Sequence, residues 1–257
     1  MAIALRTPGE IDAIAEAGRV AVKQVELAYS DIRLGETTLE IVERLGERLR
    51  DSPADSAIQG FRRDGRSYPY AACVSVNEQL PSAVASGRRI EPGDLVKIDL
   101  AVCVDGWHAD AATTRVVGGG DSLRKVRTQH ATQCLLGAIS VDFASGVEWT
   151  GAGLQRIGEE LGFGIAPGAI GHGVGRRLHE SPALEFGRSV RLVPGMVLAV
   201  EPLLSAGPWP GEVPQGDGWT SVAADGSDVW VEERTVAITR DGPQLLTRFQ
   251  DDRANGF

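Results

Sequence analysis

Apolar residues recur at helical spacing in four stretches of the chain, and each stretch predicts a helix. The first begins at Thr7-Pro8-Gly9-Glu10, a capping box in which proline takes the first helical position. The second begins after Gly35-Glu36-Thr37 and repeats leucine and valine every three or four residues. The four predicted helices cover residues 8–29, 38–51, 122–140 and 149–161.

Runs of β-branched and aliphatic residues between glycine and proline positions predict the strands. An arginine- and glycine-rich loop at 60–66 precedes the first strand, and a glycine-rich break covers 118–121. The predicted strands are residues 71–76, a hairpin over 99–117, residues 196–200 and residues 229–238. The order helix, helix, strands occurs twice, which indicates two related halves. The predicted fold class is therefore α+β, with helices on one side of a mostly antiparallel sheet.

Composition bounds the class of protein. The 257 residues, 42% of them apolar, suffice for one large core, so we expect a single domain over residues 1–257. A formal net charge of −9 without a concentrated basic stripe argues against nucleic acid as a partner. The three cysteines are widely separated, which favours reduced thiols. The N-terminal residues lack the apolar core of a signal peptide, and no run of about 18 apolar residues occurs. We therefore expect a cytoplasmic protein with no membrane partner.

The predicted hairpin carries two aspartates on one face. With Asp105-Gly106 as a two-residue turn, Val104 pairs with Trp107 and Asp99 lies opposite Ala112. Asp110, two residues away from that partner, then points to the same face as Asp99, within about 5 to 8 Å. Two carboxylates so close repel unless one is protonated or a cation lies between them. The alternative is that both are solvated hairpin residues.

Further candidate ligands occur downstream. The chain has four histidines, and glycines flank His172, which allows close approach of the backbone to a ligand. A structural histidine is the alternative. Glu201 follows an apolar strand, and Glu232 and Glu233 interrupt another. Such carboxylates are costly to bury without a partner, although acids are also common at strand ends in solvent. Glu232 is expected on the opposite face from Glu233, in solvent. Together these residues suit a pair of divalent ions.

These motifs, in this order and spacing, resemble the type I methionine aminopeptidases of the pita-bread metallopeptidase fold. They are Ile98-Asp99, Asp105-Gly-Trp-His-Ala-Asp110, Gly171-His-Gly-Val-Gly175, Val200-Glu-Pro202 and Glu233-Arg-Thr235. The resemblance runs from about Thr7 to Arg248. It implies two pseudo-symmetric halves with helices packed on a curved, mostly antiparallel sheet. It also implies a metal-dependent hydrolase that removes N-terminal methionine from peptides or nascent proteins.

The resemblance implies a role for each candidate residue. Asp110 and Glu233 would bridge two metals, and His172 would bind one of them. Glu201 would also act as general base for the metal-bound nucleophile, and His179 would hydrogen-bond the substrate carbonyl or the oxyanion formed from it. The implied ligands of the two divalent ions, which could be Mn, Fe, Co or Zn, are Asp99, Asp110, His172, Glu201 and Glu233.

The resemblance further implies an apolar pocket for the first side chain of the substrate. Its lining would be Tyr68, Cys73, Leu178 and Trp219. Leu178 stands where the family commonly has an aromatic residue, which would reshape the pocket. Ordinary core packing is the alternative for all four side chains.

Two departures from the family lie on the substrate side. Where the family has a histidine that contacts the scissile amide, this chain has Ser82. Serine can donate a hydrogen bond but cannot shuttle a proton near neutral pH, and losing such a group typically costs about 10² to 10⁴ in rate. Residues 60–67 place arginines where the family has a tyrosine-rich loop.

Three functions follow as hypotheses. The first is a methionine aminopeptidase with reduced or altered kinetics. The second is a related pita-bread hydrolase of X-Pro peptides or small amides, and the third is a weakly active protein that binds metal and peptide. The complete ligand set favours an enzyme, whereas Ser82 and the arginine-rich loop favour the third. The family also implies a monomer and a partnership with ribosomes.

Overall fold

The computed structural model describes residues 3–120, 122–144 and 146–254. Asp121, which ends the predicted glycine-rich break, and both ends of the predicted domain, residues 1–2 and 255–257, lie outside this described part. In the described residues, no helix is long and apolar enough to cross a membrane.

All four predicted helices are present. Capping boxes at Thr7 and Thr37 start the first two, because each threonine accepts a backbone hydrogen bond three residues on. The fourth begins later than predicted, since Gly151 has φ of 79°, a left-handed conformation that cannot continue a helix. Trp149 lies instead in a short strand. The helices are α1 (Pro8–Ser30), α2 (Thr38–Arg50), α3 (Ser122–Asp142), α4 (Ala152–Glu160) and α5 (Gln250–Ala254).

The strands are mostly short, and every pair of named strands is antiparallel. In the N-terminal part of the chain they are β1 (Asp55–Ser56), β2 (Arg62–Arg63), β3 (Arg66–Ser67), β4 (Cys73–Val76), β5 (Leu95–Val104) and β6 (Trp107–Val116). The next six are β7 (Glu148–Trp149), β8 (Phe163–Ile165), β9 (Ala169–Gly173), β10 (Glu180–Glu185), β11 (Val190–Arg191) and β12 (Val197–Val200). The last six are β13 (Leu203–Ala206), β14 (Glu212–Pro214), β15 (Ser221–Ala223), β16 (Val229–Val231), β17 (Arg234–Thr239) and β18 (Gly242–Leu245).

The long hairpin β5–β6 has the predicted register. Val104 pairs with Trp107, and Asp99 lies opposite Ala112. Asp105 and Gly106 both have positive φ, 50° and 77°, which is the backbone of the tight turn that Asp-Gly favours. Because the turn is local, its two residues set the register of the whole hairpin.

Helices and strands assemble into two halves. In the first, α1 packs on β5 and β6, α2 packs on β4, and their apolar faces form one core cluster. In the second, α3 and α4 pack together over a separate cluster, to which β12 and β17 contribute. The α+β layout and the two halves are as predicted.

Three further predicted elements differ from the structure. The loop at 60–66 contains the hairpin β2–β3, which turns at Asp64 and Gly65, both with positive φ. The strand at 71–76 begins only at Cys73. The predicted strand at 229–238 is two strands, β16 and β17, which belong to different sheets. Glu232 and Glu233 lie at the break between them.

Candidate metal centre and substrate pocket

The two halves meet at a group of acidic side chains. Asp99 lies on β5 and Asp110 on β6, whereas His172 lies on β9 and Glu201 directly follows β12. Strands β9, β12 and β17 are neighbours in one sheet, and β5 and β6 belong to another. Glu233 joins the sheets, because its backbone N–H donates to the carbonyl of Ala112, 2.9 Å away. Since Ala112 is also the hairpin partner of Asp99, this bridge brings Glu233 beside both aspartates.

Ligand atoms from both halves converge. One oxygen of Asp110, one oxygen of Glu233 and one ring nitrogen of His172 all lie within 4.8 Å of one another. The Nε2 atom of His172 is also 3.4 Å from Oε1 of Glu201 and 4.0 Å from Oδ2 of Asp110. Asp110, His172 and Glu233 are buried, and Asp99 and Glu201 are partly buried.

The backbone fixes how His172 presents its ring. Its Nδ1 lies 3.0 Å from the carbonyl oxygen of Gly173, an acceptor, so Nδ1 carries the hydrogen. The lone pair of Nε2 is thereby directed toward the carboxylates, as metal binding requires. Glycine is needed on both sides: a Cβ at Gly171 would lie 2.2 Å from the carbonyl oxygen of Ala199, and one at Gly173 would lie 2.5 Å from that of Ser181.

The acidic side chains here are difficult to ionise together. Burial raises the pKa of Asp110 to about 7 and that of Glu201 to about 7. Burial, reinforced by the neighbouring carboxylates, also raises the pKa of Asp99 and of Glu233 well above their usual values. Among the described residues, no lysine or arginine forms a salt bridge with any of these four.

A divalent cation fits this donor set. The Oε1 atom of Glu233 is buried and has no hydrogen-bond partner within the described chain. A buried carboxylate oxygen without a partner is costly, and a cation would satisfy it. Carboxylate oxygens with one imidazole are ligands that Mn, Fe, Co and Zn accept. Asp110, His172 and Glu233 could hold one ion, and Asp99 and Glu201 extend the acidic surface around it.

The prediction for Glu232 is wrong: this side chain is fully buried. It accepts hydrogen bonds from the hydroxyl of Thr113, the backbone N–H of Thr114 and the guanidinium of Arg234. Alternation of faces fails because the strand breaks at this residue and β6 covers its other side. Burial raises the pKa of Glu232 to about 7 despite Arg234.

His179 is exposed and lies beside the centre. Its ring centroid is 4.4 Å from that of His172 and 5.2 Å from that of Phe61. Partial desolvation in these contacts, and then the charge of His172, lower the pKa of His179 to about 4. The ring is therefore neutral near pH 7 and is available for hydrogen bonding.

Three of the four predicted pocket residues form one apolar cluster. Tyr68, Cys73 and Trp219 are all buried, and the Tyr68 and Trp219 rings meet edge to face at 5.1 Å. Cys73 is the register partner of Asp99, so the cluster adjoins the acidic centre. Leu178 is half-buried before His179 and, within the described chain, is not a member of this cluster. The Ser82 hydroxyl donates to the carbonyl of Trp219 at 3.2 Å.

Sequence reasoning marked residues 60–67 as a departure on the substrate side but did not identify Phe61 and Arg63 individually. The Phe61 ring lies between those of His179 and Trp219, with centroids at 5.2 Å and 6.4 Å. The Arg63 guanidinium lies 4.4 Å from the centre of the Trp219 ring and donates to the Trp219 carbonyl at 3.1 Å. The Asp64-Gly65 dipeptide, a strong turn signal, could have identified this hairpin.

Comparisons with known proteins agree with this arrangement. Residues 12–240 match the sequence model of metallopeptidase family M24. Methionine aminopeptidase 1 of Mycobacterium tuberculosis is 35% identical over 255 residues, which cover 94% of this chain and 94% of that protein. The crystal structure of methionine aminopeptidase from Thermotoga maritima has a TM-score of 0.88 and 32% identity, covering 96% of this chain and 100% of that one.

A more distant structure shares the fold alone. Prolidase from Pyrococcus horikoshii has a TM-score of 0.74 at 23% identity, over 96% of this chain and 64% of that one. The chain belongs to metallopeptidase family M24 and has the pita-bread fold of that family.

Proposed function

We propose that this protein is a methionine aminopeptidase, which removes N-terminal methionine from peptides or nascent proteins. The observation that carries the proposal is the contact between an acidic, imidazole-containing centre and an apolar cluster, joined through the register pair Cys73 and Asp99. The similarity to methionine aminopeptidases over nearly the whole chain supports it.

In this proposal the centre binds two divalent ions, Mn, Fe, Co or Zn. When bound, such ions polarise the scissile carbonyl and lower the pKa of water toward neutrality. The proposed ligands are Asp99, Asp110, His172, Glu201 and Glu233.

The protein's own side chains handle protons and orientation. Glu201 is the proposed general base, because its carboxylate lies in the centre, with Oε1 3.4 Å from Nε2 of His172, where it can accept and return a proton. His179, which is neutral at that pH, donates a hydrogen bond to the substrate carbonyl oxygen and to the oxyanion formed from it. The methionine side chain occupies the pocket at Tyr68, Cys73 and Trp219, with Leu178 at its edge.

Ser82 is proposed to bind substrate without taking part in proton transfer. Its hydroxyl is already directed to the Trp219 carbonyl, and serine does not titrate near neutral pH. A slower enzyme is therefore expected. The comparisons favour neither alternative. The prolidase likeness, at 23% identity, is one of fold and does not support an X-Pro or small-amide hydrolase. The weakly active binding protein, which Ser82 and the arginine-rich loop would suit, is the alternative that the next experiment tests.

The decisive experiment measures free methionine. The purified protein is stripped of metal, reloaded with Mn²⁺, Co²⁺ or Fe²⁺, and incubated with the peptide Met-Ala-Ser. Metal-dependent release that disappears in Glu201→Gln would support the proposal. No release with two metals bound per chain would contradict it. In a second variant, Ser82→His, unchanged turnover would remove Ser82 as the cause of any slow rate.

Four properties stay predictions: a single catalytic domain and a cytoplasmic location, which the sequence pattern predicts, and a monomer and contact with ribosomes, which the family resemblance implies. Size-exclusion chromatography with light scattering would test the monomer, and co-sedimentation with ribosomes would test that partnership.

A further inference from the structure

An arginine-rich hairpin is fixed at the entrance to the proposed site. Phe61, just before β2, packs against both His179 and Trp219. Arg63 holds the same hairpin on Trp219 through its ring contact and two carbonyl hydrogen bonds, at 3.1 Å and 3.4 Å. On β3, Arg66 donates to the carbonyl of Gly216 at 3.4 Å. The hairpin therefore has a defined position beside the pocket and the imidazole.

The guanidinium charges of this hairpin are not neutralised by salt bridges. Arg62 donates to the Gly65 carbonyl, and Arg63 and Arg66 likewise bond carbonyl oxygens. In the described part of the chain, no carboxylate lies within salt-bridge distance of the three arginines. All three side chains are on exposed residues.

Two acidic residues are close to these charges. Asp64 occupies the turn of the hairpin itself. The second is Asp217, whose pKa lies below its usual value. Burial raises this pKa, but hydrogen bonds from Thr220 and Trp219, together with the charge of Arg66, lower it more. The Asp217 carboxylate is already engaged by the Thr220 hydroxyl at 2.6 Å and by backbone N–H groups. The three arginines of the hairpin outnumber Asp64 and Asp217, so these five residues carry a formal charge of +1 on a protein with a formal net charge of −9.

The ring of Phe61 contacts the two residues proposed to bind the N-terminal methionine, Trp219 at its side chain and His179 at its carbonyl. In the proposed function, the residues that follow methionine are therefore expected beside the hairpin that Phe61 precedes. We propose that hairpin β2–β3 is a specificity element that favours substrates with aspartate or glutamate in the third and fourth positions. This inference rests on the proposed function, and its ligand chemistry is the carboxylate group, which arginine pairs with well.

The test compares three peptides amidated at the C-terminus: Met-Ala-Glu-Glu, Met-Ala-Ser-Ser and Met-Ala-Lys-Lys. For the wild type, kcat/KM for the glutamate peptide should exceed that for the serine peptide by about 3- to 10-fold, as expected for two or three exposed charge pairs. The advantage should shrink in about 0.5 M salt, which screens exposed charges.

Variants assign the effect to the hairpin. The double variant Arg62→Gln/Arg66→Gln should bring the glutamate-to-serine ratio near one, whereas Arg62→Lys/Arg66→Lys should keep most of it. The matched control Arg156→Gln/Arg188→Gln removes two exposed charges from other elements and should leave the ratio unchanged. Arg63 is not substituted, because it also packs on Trp219.

A binding measurement separates this inference from the proposed function. Dissociation constants of the same peptides, labelled at the C-terminal end, are measured by fluorescence anisotropy on the metal-loaded protein. If no peptide releases methionine, the proposed function is contradicted. In that case a lower Kd for the glutamate peptide than for the serine peptide would still support the hairpin as a carboxylate-binding element. Equal Kd and kcat/KM values for the glutamate and serine peptides would overturn the inference, as would a ratio that survives Arg62→Gln/Arg66→Gln.

Discussion

The substitution Asp252→Asn should destabilise the whole protein through a buried ion network. Asp252, in α5, and Arg234, at the start of β17, are both fully buried. The Asp252 carboxylate accepts hydrogen bonds from Nε and Nη2 of Arg234, at 2.8 Å and 2.7 Å. It accepts a third from the backbone N–H of Phe249, at 2.8 Å. Asparagine keeps the shape but removes the negative charge and turns N–H donors toward the donors of Arg234.

The magnitude follows from what remains around Arg234. Removing one partner of a buried ion pair typically costs about 3 to 5 kcal/mol, because the other charge stays buried. Glu232 remains 3.2 Å from Nη2, but burial has already raised the pKa of Glu232 to about 7, so it replaces Asp252 only in part. We therefore expect a loss of about 3 kcal/mol, which corresponds to about 6 to 12 °C in Tm for a domain of this size.

The effect should extend to the metal centre. Arg234 donates from Nη1 to the carbonyls of Glu233 and Ala112, at 2.8 Å and 3.0 Å, and so fixes the backbone of a proposed ligand. Loosening such a supporting group commonly costs about 10-fold in metal affinity. Titration of the metal-free variant with Mn²⁺ would measure that loss.

Equilibrium urea unfolding of the metal-free protein, followed by far-UV circular dichroism, would measure the free energy of unfolding. The adjacent substitution Asp251→Asn is the matched control. The Asp251 side chain is exposed, and its ion pair with Arg115 is long, at 3.7 Å. The control should lose less than about 1 kcal/mol. A loss below about 1 kcal/mol for Asp252→Asn as well would refute the argument that this network stabilises the fold.

Three further outcomes are expected. Burial raises the pKa of Glu26, but the hydrogen bond and charge of Arg115 lower it more, so the native pKa lies below 4.5. This pair therefore stabilises the protein above about pH 4.5 and loses its effect as the pH falls through the native pKa. Glu26→Gln should cost at most about 1 kcal/mol at pH 7, and the cost should vanish in unfolding curves near pH 3. Tyr68→Phe leaves the buried Ala83 carbonyl without its 2.7 Å hydrogen bond and should cost about 1 to 3 kcal/mol in urea unfolding. In Glu233→Gln, bound metal measured by elemental analysis should fall, whereas unchanged stoichiometry would exclude Glu233 as a ligand.

Much of the fold was predictable because its signals are local. Capping boxes start α1 and α2 at the predicted residues, and the Asp-Gly turn sets the hairpin register that places Asp99 and Asp110 on one face. The order of the candidate ligands along the chain was likewise sufficient for the family resemblance. Where a local signal was read incompletely, as at Gly151, the error was a few residues at the start of a helix.

Contacts between distant segments could not be read from the sequence. Whether Glu232 faces solvent or Arg234 depends on the break between β16 and β17 and on β6, more than 100 residues earlier, which covers that face. The position of Phe61 against His179 depends on how a short hairpin packs across the site.

The sequence alone therefore determined the elements, the hairpin register and the set of candidate ligands, since each depends on neighbouring residues or on residue type. The tertiary structure decided which of those side chains are buried, which lie together and which charges find partners. Burial and pairing arise only when sheets from the two halves meet, as they do where the Glu233 N–H bonds the Ala112 carbonyl.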